Sequence, residues 1–152
     1  MRRVGYAWPM SGSVARVHLE LAGDQALIQL ARLVATGVAT SVGLEIDEAE
    51  NCRAAVDEMC SSLIEMAQSD AVLEIDIVAD VGVGVPTVEV SGRVAIDVPV
   101  APDEVRREIS EMILDAVTES HRFDVDLDAR QATFAFVLAS RRRRDEHDEV
   151  AE

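Results

Sequence analysis

The stretch that decides the fold runs from Val72 to Val98. It opens with Val72-Leu73-Glu74-Ile75-Asp76-Ile77-Val78-Ala79-Asp80 and continues through Val81-Gly82-Val83-Gly84-Val85-Pro86. It closes with Thr87-Val88-Glu89-Val90-Ser91-Gly92-Arg93-Val94-Ala95-Ile96-Asp97-Val98. Leu73, Ile75 and Ile77 alternate with Glu74 and Asp76, and Val88, Val90, Val94, Ile96 and Val98 alternate with Glu89, Ser91, Arg93 and Asp97. A period of two marks strands with one apolar and one wet face. Ala79 to Pro86 reads as a hairpin connection, in which glycine supplies positive φ. Strands covered on both faces would be apolar throughout. The alternation therefore predicts helices on one side of the sheet and excludes a doubly wound fold.

Working outward, Val17, Leu19 and Leu21 alternate with Arg16, His18 and Glu20, so Ser13 to Leu21 is another half-buried strand. Gly23-Asp24 opens a helix whose apolar stripe is Leu27, Leu30, Ala31, Val34, Val38 and Val42, with Gly43 as its stop. A second helix starts at Asp47 with Glu50 completing a capping-box pattern, and runs to about Gln68. Its inner face is Cys52, Val56, Met59, Cys60, Leu63 and Ala67; its wet face is Asp57, Ser61 and Glu65. Pro102 and Asp103 begin a third helix, with Val105, Ile109, Met112, Ile113, Ala116 and Val117 expected inward. Phe123, Val125 and Leu127 form a short strand, Asp128-Ala129-Arg130 a turn, and Phe134, Phe136 and Leu138 a last strand. The order is β-α-α-β-β-α-β-β. It predicts an α+β two-layer sandwich with a mostly antiparallel, mixed sheet and three helices on one face.

At 152 residues the chain has room for one domain. Hydrophobic residues make up 49% and charged residues 28%, a globular composition; with 3% aromatics the core must be aliphatic. Fourteen basic residues against 29 acidic ones give a formal charge of -15, which argues against direct nucleic-acid binding. Cys52 and Cys60 share one expected helix, about 12 Å apart at 1.5 Å rise per residue, too far for a bridge. Free buried thiols suit a reducing, cytoplasmic setting. Met1 to Ser13 has two arginines but no apolar h-region, and no apolar run has the ~20 residues of a membrane span. The organisation read here is an N-terminal extension (1–13), a domain (14–141) and a polar tail (142–152). The run Arg141 to Arg144 is either part of a solvated end or a docking element.

Three features bear on chemistry. Asp80-Val81-Gly82-Val83-Gly84 looks like a phosphate-loop fragment, but it leads into a strand and not into a helix N-terminus. His18, His121 and His147 are scattered, so no metal site is built from them. Glu58 and Ser62 stand four apart on one helical ridge, at the border between wet and apolar faces beside Ala55 and Met66. A carboxylate there either faces a cleft or is simply an exposed structural glutamate.

The segment Ala54-Ala55-Val56-Asp57-Glu58-Met59-Cys60-Ser61-Ser62-Leu63-Ile64 resembles the N-box helix of the GHKL (Bergerat-fold, histidine-kinase-like ATPase) anti-sigma-factor kinases, closest to divergent actinobacterial members. The order of elements from Val14 to Arg141 matches as well. The resemblance implies Glu58 as general base toward a serine of an antagonist protein. It puts Ser62 where the family has the Asn that holds Mg²⁺. The family's adenine motif, Asp-x-Gly-x-Gly, falls on Val90-Ser91-Gly92-Arg93-Val94. Gly92 fits the first glycine, while Val90 and Val94 replace the Asp and the second Gly. The literal Asp80 motif sits one strand too early. The lid slot, Pro99 to Glu104, has no glycine.

Together these imply an anti-sigma-factor-like regulator of transcription, of the kind used in stress responses, with a degenerate ATP-binding site. It would sequester an RNA polymerase sigma factor through the first helix and neighbouring loops. A STAS-type anti-sigma-factor antagonist would release it, and the resemblance also implies a homodimer. On this reading no cofactor is bound. The alternative is an active ATP-dependent serine protein kinase that takes ATP with Mg²⁺ through Glu58, Ser62, Gly92 and Asp80.

Overall fold

The computed structural model describes residues 14–82, 84–97 and 103–141. The expected extension 1–13, the tail 142–152, and Val83, Val98 and residues 99–102 of the lid slot lie outside the described residues. In chain order the elements are β1 (Val14–Ala22), α1 (Ile28–Ser41), α2 (Ile46–Met66), β2 (Val72–Asp80), β3 (Thr87–Ala95), α3 (Glu104–Val117), β4 (Ser120–Asp126) and β5 (Gln131–Ala139). A single 3-10 turn, Gln25–Leu27, leads into α1.

The five strands form one sheet in the order β1-β2-β3-β5-β4. All four pairings are antiparallel, which corrects the expected mixed sheet: no parallel pairing occurs among the described strands. The physical reason is connectivity. β2 and β3, and likewise β4 and β5, join through short turns, and the turnback through α3 returns the chain beside β3 with β5 running opposite to it. Leu73, Ile75, Ile77, Val88, Val90, Val94, Phe134 and Phe136 are buried in one core with Ile28, Ala31, Ala35, Cys52, Val56, Met59 and Leu63 from the helices. The opposite sheet face carries His18, Glu20, Asp76, Glu89 and Arg93, so the arrangement is consistent with a two-layer sandwich.

α1 is rotated from the expected stripe: Ala31 and Val42 are buried and Val34 and Val38 pack against the core as expected, but Leu30 is not covered. Ile28, Ala31, Ala35 and Ala39 are buried, while Leu30 and Leu33 are 48% and 70% exposed. A ridge of alanines lets α1 lie close to α2, and Arg32 Nε donates to Asp57 Oδ1 across that contact at 2.5 Å. Gly43 ends the helix as expected, with φ of +93°. The Leu44 N–H donates to the Ala39 carbonyl (3.1 Å) and the Gly43 N–H to that of Thr40 (3.2 Å), the bond pair of a Schellman stop.

The cap of α2 is Glu45, two residues before the expected one. The Glu45 N–H, not that of Asp47, is met by the carboxylate three residues on: Glu48 Oε2 accepts it at 2.8 Å. Glu48 is buried, and its other oxygen accepts the Arg141 N–H at 2.6 Å. Glu45/Glu48 and Asp47/Glu50 have the same spacing; the distant chain end selects between them. In β4 the strand starts at Ser120 and leaves Leu127 outside it, exposed.

The largest departure is α3. Asp103 caps it, accepting the Arg106 N–H at 3.3 Å. Its buried residues are Ser110 and Leu114, whereas Val105 (67%), Ile109 (50%) and Met112 (67%) face solvent and Ala116 is exposed. Of the stripe expected inward, Val105, Ile109, Met112 and Ala116 point out, while Ile113 and Val117 are half-buried and Val117 packs against the core.

Candidate functional site

α2 crosses the middle of the sheet with its ends at opposite sheet ends. Its N-terminus meets Arg141; beyond its C-terminus, the Gln68 N–H donates to the Ala95 carbonyl at 3.0 Å and Ala67 bridges Ile96. Glu58 and Ser62 are both half-buried on the shared ridge, between buried Ala55 and half-buried Met66. Neither makes a hydrogen bond or ion pair with another described residue through its side chain.

Gly92 lies directly beneath this stretch. A Cβ added there would stand 2.9 Å from Leu63 Cδ1 and 3.3 Å from Met59 Sδ. The glycine thus lets α2 settle on β3. Val90 and Val94, two residues to either side, point to the same layer and are 0% and 1% exposed. Every side chain that the Val90–Val94 slot turns toward α2 is apolar, and Ser91 and Arg93 turn to the other face.

The structure packs Gly92 against Met59 and Leu63 of α2, the helix that carries the Glu58–Ser62 ridge on another side, and leaves Asp80 elsewhere. Asp80 pairs with Thr87, at the far end of β3 from Ala95. Thr87 is five residues from Gly92 along β3, which at ~3.3 Å each puts Asp80 roughly 17 Å from it. Its Oδ1 accepts the Gly82 N–H at 2.7 Å, so the carboxylate shapes its own hairpin. Gly84, at φ +129°, supplies the positive φ the connection needs.

Beside Ser62 a cleft of about 640 Å³ opens between α2, α3 and the β4–β5 hairpin. Met66, Phe123 and Phe134 give it an apolar floor, with the two rings 5.6 Å apart and tilted by 56°. Its rim is charged and mostly self-paired. Glu65 of α2 and Arg106 of α3 form an ion pair across it, Arg107 Nε donates to Glu111 at 3.1 Å, and His121 meets Asp115 at 2.8 Å. An anion meeting Arg106, Arg107 or His121 competes with carboxylates already in place, whereas Arg122 on the same rim pairs with none among the described residues. The cleft residues Arg106, His121 and Phe123 were missed from the sequence, because no local pattern announces that α3 stands off from β4.

Other chemistry is muted. Burial pushes the Cys52 and Cys60 thiols up to about 12, which makes both inert at neutral pH. His18, on the outer sheet face, is raised first by its 2.7 Å bond to Asp76 and then by Glu20. Among the described residues no group of three or more His, Cys, Asp or Glu side chains is arranged to hold a metal ion. No helix among them is long and apolar enough to cross a membrane. The class defined so far is an α+β protein with a five-stranded antiparallel sheet, three helices and a cleft between the second and third. No protein-family model and no curated protein matches the chain.

Proposed function

We propose that this chain is a binding protein of transcription control: a degenerate anti-sigma factor of the GHKL (Bergerat-fold) type that sequesters an RNA polymerase sigma factor and yields it to a STAS-type antagonist. The single observation that carries the reading is the inner side of the Val90–Val94 slot. Where the resembled family needs a carboxylate to accept the adenine amino group, Val90 lies sealed in the core. Where it needs open backbone, the space over Gly92 is filled by Leu63 and Met59. A lost charged hydrogen bond of this kind costs roughly 1.5–3 kcal/mol. Ser62 is also shorter than the Asn it replaces. The residues present do not fit ATP with Mg²⁺.

Partner binding agrees with the surface. α1 presents Leu30 and Leu33 to solvent, on the helix that the resemblance assigns to the sigma factor. A formal charge of -15 would raise the on-rate for a basic partner, most at low salt.

The alternative, an active serine protein kinase, has one observation in its favour. Glu58 is half-buried with no side-chain partner among the described residues, as a general base awaiting substrate would be. Calorimetric titration with Mg-ATP and Mg-ADP separates the two. No heat at ~1 mM nucleotide, a binding free energy weaker than about 4.1 kcal/mol, is the expected result. A dissociation constant below ~100 μM overturns the degenerate-site reading and favours the kinase.

A further inference from the structure

α3 carries an apolar stripe that the fold does not use. Val105, Ile109, Met112 and Ala116 are exposed, on the side of the helix away from buried Ser110 and Leu114. Their spacing is four, three, four. That is the seam along which one helix receives another, because residues so spaced stay in line over several turns. From Val105 to Ala116 the seam extends along about 17 Å at 1.5 Å per residue.

The charges beside the seam are one-sided. Glu104, Glu108 and Asp115 run along one flank. Asp115 is held by His121, but Glu104 and Glu108 make no ion pair or side-chain hydrogen bond with any described residue. On the other flank the cation is Arg106, and Glu65 of α2 already holds it. An incoming helix would therefore meet an apolar strip edged by free carboxylates. The exposed face of α1 differs here. Leu30 and Leu33 are flanked by Gln29, Thr36 and Thr40, which select no charge.

We propose that the outward face of α3 is a docking surface for a basic amphipathic helix of a partner protein. This goes beyond the anti-sigma-factor reading, which rests on α2, β3 and α1, and it stands whether or not that reading does. A second copy of this chain is a poorer occupant. Antiparallel pairing would set the two acidic flanks against each other, Glu104 and Glu108 of one copy toward the Asp115 end of the other, and parallel pairing would oppose them to Arg106 side chains that are already engaged. A charge of -15 on each copy adds to the repulsion.

The test uses the full chain and a fluorescein-labelled helical peptide with Leu at heptad positions a and d and Lys at e and g. A second peptide has Glu in place of Lys. Anisotropy titration should show binding of the Lys peptide only. The charge-neutral double variant Ile109→Gln/Met112→Gln should weaken it by about tenfold or more. Glu104→Gln/Glu108→Gln should weaken it and flatten its salt dependence. Leu33→Gln on α1 should leave it unchanged. The proposal is overturned if the Lys peptide does not bind, or if Ile109→Gln/Met112→Gln changes the affinity less than twofold, since bulk charge then explains it. It is equally overturned if the wild-type chain sediments as a dimer that the same double variant splits, because the face is then covered by a second copy.

Discussion

α2 and α3 make an instructive pair. Both are capped by a carboxylate, both lie in the helical layer, and both carry apolar residues at helical spacing. α2 spans the centre of the sheet over β3 and β5, with α1 on one flank and α3 on the other, and Cys52, Ala55, Val56, Met59, Cys60 and Leu63 are all fully buried. α3 sits at the margin and touches chiefly α2 and the edge strand β4. Ser110 and Leu114, with half-buried Ile113 and Val117, suffice there, and the rest of the apolar stripe is left over. The same periodic signal thus means core in one helix and surface in the other. Position over the sheet, not amphipathicity, decides which.

If that contrast is right, the two helices respond very differently to substitution. The largest effect is expected for Leu63→Ala in α2, which empties space above Gly92 and should cost about 2–5 kcal/mol by chemical denaturation. A loss below about 1 kcal/mol would mean that α2 does not seal the sheet. Filling the same contact from below should come next. Gly92→Val forces Leu63 and Met59 to move and should cost about 1–3 kcal/mol in the same assay. Glu48→Ala tests the α2 N-terminus. It strips the acceptor from two backbone N–H groups, those of Glu45 and Arg141, and a cost of about 1–2 kcal/mol is expected. Faster amide exchange at Arg141 should accompany it.

α3 should be nearly silent. Ile109→Ser, which would be severe in α2, is expected to change stability by no more than about 0.5 kcal/mol; a melting temperature that collapses would return the stripe to the core. The smallest effect belongs to the outer sheet face. The imidazolium of His18 is favoured by Asp76 and then Glu20, so its pKa is raised above the unfolded value of 6.5. The stability it contributes is fully present below about pH 6.5 and is lost as pH rises through the higher folded value. Asp76→Asn should lower the His18 pKa seen by NMR titration and flatten the pH dependence of the melting temperature over that window; an unchanged pKa would remove Asp76 as the cause.

Much of this was legible because period-two and helical spacing are local. The strands around Ile75, Val90 and Phe136, the inner face of α2, the stop at Gly43 and the Glu58–Ser62 ridge each announce themselves within a few residues. The cap of α2 was legible only in kind. Glu45-Ile46-Asp47-Glu48-Ala49-Glu50 offers two carboxylate pairs of equal spacing, and the choice falls to an amide 93 residues away at Arg141. The cleft was not legible, since Glu65, Arg106 and Phe123 lie on three elements whose separation no sequence period encodes.

One wet sheet face, helices on the other and the order of the elements could all be read along the chain, because burial in a sheet is written residue by residue. Packing in three dimensions makes Gly92 a seat for Leu63, turns the alanines of α1 in while Leu30 and Leu33 face out, and leaves Val105, Ile109, Met112 and Ala116 of α3 in solvent. A helix brings its apolar side with it, but what that side meets depends on how much sheet is left to cover after α2 has taken the centre.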